Sequence, residues 1–235
     1  MKGVLVRVGI DGSCGEWNGP CDPQKGRFVY VPIPEGFKDL RPELSRTYDE
    51  VVPALSSFGV TLPSHLDGCA MHLDPDFETL TYGDTWPRSQ PILDMRAGDF
   101  IAFYASLRPA APNPGGLVYA IIGFFTVAEI VNAADVPMER WGENAHTRRR
   151  VDGRNDIIVR ADARKSGRLD RAIPIGEWRQ GSYRVSNHVL SSWGDLKVKN
   201  GYIQRSGRPP MFDQPERFIE WLDAQAVRLL KANNP

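Results

Sequence analysis

Four side chains able to hold a metal stand close together in this chain, at His65, Cys69, His72 and Asp74. Imidazole, thiolate and carboxylate are donors that zinc selects. The spacing fits poorly. Structural zinc draws its ligands from two separated knuckles, and base deaminases pair HxE with PCxxC; neither pattern occurs here. No metal is expected on this reading. The carboxylates around them offer a second chemistry. His72 against Asp74 or Asp76 is the kind of pair that activates a water for attack at a glycosidic or amide carbon. With Asp11, which ends an early apolar run, these make the candidate catalytic set of Asp11, His72, Asp74 and Asp76. Capping turns and meeting basic residues are the commoner uses of clustered carboxylates.

A third chemistry is recognition of a nucleobase. Tyr82, Trp86 and Tyr104 offer rings for stacking, and Asp84 or Asp99 could meet a base edge, although Gly98-Asp99 also suits a plain turn. Arg148, Arg149 and Arg150, followed by Gln204, Arg205 and Arg208, supply donors for phosphates, with Trp193 and Tyr202 nearby as further planes. The glycine-bearing loop 11–26 has neither the GxGxxG nor the Walker arrangement, and Cys14 and Cys21 are too far apart for a CxxC site. No site for S-adenosylmethionine, a nucleoside triphosphate or a flavin is recognisable, so no cofactor is expected.

Several short strands must position these groups. The apolar stretches 4–10 and 28–33 read as strands, with loop between them. Residues 98–131 read as two strands joined by a Pro/Gly-rich loop, since β-branched and aromatic runs flanking a turn-rich connection favour a hairpin. A weak helical pattern covers 38–55, and 64–90 has no period. A short helix is expected over 136–147, with Asp135 as its cap and Pro137 in its first turn. Further extended pieces fall at 156–160 and 172–175, and a helix within 181–196 ends near Gly194. The spacing of Phe218, Trp221, Leu222, Leu229 and Leu230 predicts a helix over 215–231. Few helices among many strands give an α+β class with a barrel-like sheet.

At 235 residues with 41% hydrophobic and 25% charged residues, the chain can bury a full core. No linker divides it, and a single domain over 1–235 is expected. The first apolar run is short and broken by Arg7, no later run could span a bilayer, and the 3 cysteines suit a reducing compartment; a cytoplasmic protein with no membrane partner is expected. The net charge is zero but unevenly spread. Residues 1–139 carry 10 Lys/Arg against 18 Asp/Glu, whereas 140–208 carry 16 against 7. An acidic body with a basic face would have this pattern, and phosphate binding needs only the face.

Five segments in order, RVGIDG, YVPIPE, HLDPDFETLTYGD, GDFIAFYASL with YAIIGFF, and WGDL followed by GYIQRSGRPP, resemble the third type of nucleotide-modification-associated domain. The resemblance runs from residue 7 to about 210. The hairpin is also similar to the centre of PUA-like barrels, the group of EVE, ASCH and YTH domains. It implies a PUA-like core near 92–135, which the chain follows with a basic part over 140–210 and the helix at 215–231. The family association implies a role beside base modification in DNA, so DNA is favoured over RNA as partner. On this resemblance the first reading is a module that recognises a modified or flipped base. The alternative is a hydrolase or transferase acting on a modified base or nucleotide.

Overall fold

The computed structural model of the protein describes residues 1–36, 39–110, 115–150, 155–204 and 208–235. Its first strands are β1 (Gly3–Arg7), β2 (Pro20–Asp22), β3 (Arg27–Phe28), β4 (Ile33–Pro34), β5 (Met71–His72) and β6 (Thr81–Thr85). The long pair β7 (Phe100–Pro109) and β8 (Val118–Asn132) follows, then β9 (Asp156–Ala161), β10 (Gly167–Pro174), β11 (Gly176–Arg179), β12 (Ser182–Val185) and β13 (Leu229–Leu230). The α-helices are α1 (Val52–Ser56), α2 (Gln90–Leu93), α3 (Asn187–Trp193) and α4 (Pro215–Ala224). The class is α+β: a curled, mixed half-barrel sheet with few helices. No helix among the described residues is long and apolar enough to cross a membrane.

The β7–β8 hairpin is the centre of the sheet. β1 runs parallel to β7, β10 and β9 pair antiparallel with β8, and β6 extends the sheet beyond β9. Strand alternation divides the apolar residues between two cores. Val4, Val6, Ile101, Phe103 and Ala105 face one, and Leu5, Phe100, Ala102 and Tyr104 face the other. The register slips between Phe103 and Tyr104, where Ile122 is the extra residue of a bulge in β8. Gly123 lies there because a Cβ would meet the Phe77 ring at 2.4 Å. The missing Cβ thus lets Phe77, in the segment before β6, lie tightly on the sheet.

Some sequence expectations need correction. The span 136–147 holds a 3-10 helix, Met138–Glu143, with Pro137 at its cap; Asp135 instead ends a separate turn that the Asn132 side chain caps. The last helix stops at Ala224, and Leu229 and Leu230 are extended, paired with Leu169 and Arg168 of β10. Their spacing suits a helix face, but the sheet edge offers backbone bonds as well as burial. The helix expected within 181–196 is present as α3, which follows β12 and ends on the left-handed Gly194. Residues 64–90 hold β5, β6 and the start of α2 rather than only loop.

Candidate functional site

Two of the chain's 4 histidines meet at the bottom of a pocket of about 620 Å³. His72 ends β5, which is held by pairing of Ile33 with His72. That pairing brings up Glu35, just past β4, whose Oε2 lies 2.8 Å from His72 Nδ1. His146 follows the 3-10 helix at Met138–Glu143. Asn144 Oδ1 accepts from its backbone N–H at 2.9 Å, and its Nδ1 lies 2.8 Å from Asp156 Oδ2 at the start of β9. The two imidazoles cross edge to face with centroids 4.9 Å apart.

Asp74 lies between them. Its Oδ1 accepts from the Gly83 N–H at 2.8 Å and from Asn144 Nδ2 at 3.1 Å. Its Oδ2 faces both rings, 3.5 Å from His146 Nε2 and 3.9 Å from His72 Nε2. Burial favours neutral His146, but hydrogen bonding to Asp156 and Asp74 outweighs it and raises the imidazole above its usual pKa. Asp156 is buried too, yet His146 above all holds it well below the usual carboxylate range.

The pocket's other wall is a second polar group. Arg7 pairs with Asp11 at 2.7 Å, and Asp11 Oδ1 accepts from Ser13 N–H, Ser13 hydroxyl and Cys14 N–H. Asp84 accepts the Tyr82 hydroxyl at 2.8 Å and lies 3.4 Å from Arg88 Nε. Burial pushes the Asp84 carboxyl up, against the opposing pull of Arg88 and the Tyr82 hydroxyl. A raised carboxyl beside paired imidazoles in one cleft is an arrangement suited to moving protons.

Asp11, His72, Asp74, Tyr82, Asp84 and Arg149 therefore all line this pocket. Other residues singled out in the sequence lie elsewhere. Asp76 is fully buried and bonds Arg148 Nη2 at 2.6 Å and Asn233 Nδ2 at 3.0 Å, so it braces the fold outside the pocket lining. Tyr104 is equally buried, donates its hydroxyl to Ile203 O at 2.7 Å, and has no face open to a base. Trp86 is half exposed outside the lining. Arg148 and Arg149 are buried, the latter bonded to Asp156 at 2.5 Å, which removes both from any outer phosphate-binding face. Arg150 and Arg208 are exposed, Gln204 accepts from Tyr183 N–H, and Arg205 lies outside the described residues. Asp99 caps the turn into β7 by accepting from Lys2 and Arg96 N–H groups. His65 contacts Gly15 O and Cys69 donates to His65 O, so the four-residue metal pattern is not assembled.

Sequence reasoning missed His146, Glu35, Asp156 and Arg88. Histidine is scarce here, and that scarcity was the one usable signal for His146. The sequence model of nucleotide modification associated domain 3 matches residues 2–217. The chain belongs to that family. No curated protein and no solved structure matches it. The matched span of nucleotide modification associated domain 3 contains every residue of the pocket.

Proposed function

We propose that this pocket receives one nucleotide, free or flipped out of a DNA strand, and that the protein carries out hydrolysis or group transfer on its modified base. One observation carries the reading: two carboxylate-backed imidazoles turned onto Asp74 at the bottom of a cavity of about 620 Å³. A cavity of that size lies within the roughly 300–1,000 Å³ typical of small-molecule sites. The family's association with nucleotide modification supplies the substrate class. His72, Asp74 and His146 form the polar centre on which the chemistry turns, Asp84 is a candidate acid for proton transfer, and Arg88 at the edge is placed for an anionic group. A flipped base suits a concave site, since chemistry on a base requires taking it out of the stack. The PUA-like character of the hairpin and a cytoplasmic location belong to the same reading.

Recognition without turnover is the second reading. Trp86, 51% exposed and two residues from Arg88, favours it by offering a ring for stacking. Incubation with DNA oligonucleotides and nucleotides bearing plain and modified bases, followed by mass spectrometry, separates the two. A mass change abolished by His146→Gln in a folded protein supports the enzyme. Selective binding with unaltered mass supports recognition alone, and neither outcome at low salt sinks both.

A further inference from the structure

We infer that His72 Nε2, Asp74 Oδ2 and His146 Nε2 bind one divalent first-row transition-metal ion, zinc or iron(II), with its open positions facing the pocket. The inference deepens the reading above by assigning an ion to the same site.

The argument starts from tautomers. Each imidazole has Nδ1 2.8 Å from a carboxylate, Glu35 for His72 and Asp156 for His146. An Nδ1–H donated to that carboxylate leaves a lone pair on Nε2. Both lone pairs then point towards Asp74 Oδ2, at 3.9 and 3.5 Å. In that state two lone pairs and an anionic oxygen repel one another, which either a proton on His146 Nε2 or a metal ion between them relieves. A metal ion between them turns the repulsion into coordination. Ligating histidines commonly carry a carboxylate on the other ring nitrogen, which fixes the ring and makes Nε2 more basic.

Spacing and charge agree. The three donor atoms lie within 4.8 Å of one another. Metal–ligand bonds of about 2.1 Å in a tetrahedral site put neighbouring ligands about 3.4 Å apart, so the set closes by contracting from at most 4.8 Å at its widest to about 3.4 Å. Asp74 Oδ1 is held by the neutral donors Gly83 N–H and Asn144 Nδ2, which orient the carboxylate without cancelling its charge. Two imidazoles and one carboxylate suit zinc in an open site and equally a facial iron(II) site. Arg149 Nη2, 2.6 Å from His146 Nδ1, defines the rival arrangement. If Arg149 donates to Nδ1, the proton lies on Nε2 and is given to Asp74, and no metal binds.

The test uses full-length protein stripped with a chelator and titrated calorimetrically with zinc chloride and, without oxygen, with ferrous sulfate. One ion per chain is expected, with metal analysis of the protein as purified distinguishing zinc from iron. His72→Ala and Asp74→Ala should each weaken binding at least about 100-fold. Glu35→Gln should weaken it roughly 10–100-fold, and His65→Ala should leave it unchanged. Nitrogen NMR of the wild-type imidazoles gives a readout that needs no variant: Nε2 unprotonated and shifted by the metal. Less than one ion per chain, binding indifferent to His72 and Asp74, or Nε2–H on His146 overturns the site. A bound ion with no turnover overturns the proposed function and leaves the metal site. Turnover that survives chelation does the reverse.

Discussion

Asp74 and Asp76 stand two residues apart and have opposite roles because their partners differ. Asp76 is bonded to Arg148, to Asn233 and to the N–H groups of Glu78 and Thr79, which leaves it no opening towards a ligand. Asp74 is held by uncharged donors on one oxygen and keeps the other for the imidazoles. The residue that allows this is Gly83. A Cβ there would lie 2.3 Å from His146 Cδ2 and 2.7 Å from Asn144 Oδ1. Gly83→Ala must therefore push His146 off Asp74 or bend β6. Overpacking of this kind costs about 1–3 kcal/mol. The expected outcome is a lower urea midpoint together with loss of the proposed base-modifying turnover, the second effect exceeding what the residual folded fraction explains. Wild-type behaviour on both measurements would remove Gly83 from the argument.

At the scale of elements, the end of the chain clamps the segment that carries the site. Asn233, buried, accepts from Phe77 N–H at 2.8 Å and donates to Asp76 at 3.0 Å, and Asn234 brackets the Tyr30 backbone with bonds of 2.9 and 2.8 Å. An unsatisfied buried N–H costs about 1–3 kcal/mol. Asn233→Ala should lose roughly that much in equilibrium unfolding, while exposed Glu220→Ala changes little; equal losses would show that the clamp is not specific. The clamp could not be foreseen, because it depends on contacts between residues 156 positions apart and on β13 leaving a helical spacing. The β7–β8 hairpin was legible because its apolar residues are contiguous in sequence. The 64–90 segment was legible only as unusual: it gave His72 and Asp74, but β5 and β6 are stabilised by partners at 33–34 and 156–160. Glu35 entered the site through the β4–β5 pairing and His146 through its bonds to Asn144 and Asp156, so their roles had no local pattern to reveal them.

For the whole molecule, the uneven charge along the sequence is resolved inside the fold only in part. Arg148 of the basic stretch neutralises Asp76 of the acidic one, and Arg160 meets Glu129 at 2.8 Å. Arg149 is inside with Asp156, and Arg168 lies over the Phe28 ring at 3.7 Å, where burial lowers its pKa to about 10. Among the described residues of the basic stretch only Arg148, Arg149 and Arg168 are buried, and cations such as Arg140, Arg150, Lys165, Lys199 and Arg208 stay exposed. This bears on nucleic-acid binding in a measurable way. Each phosphate contact releases counterions and steepens the fall of log K with log salt by about 0.7–0.9. Contacts made only by Arg88 at the pocket together with Arg150 and Arg208, out of the larger exposed set, predict a shallow slope, near −2 to −3. Arg150→Ala and Arg208→Ala should each flatten it by about one unit, whereas Arg148→Gln should leave the slope unchanged and destabilise the fold by stranding Asp76. A wild-type slope steeper than about −5 would require more phosphate contacts than those three arginines supply. The protein would then hold nucleic acid across an extended basic surface, and the pocket would be only one part of a larger interface.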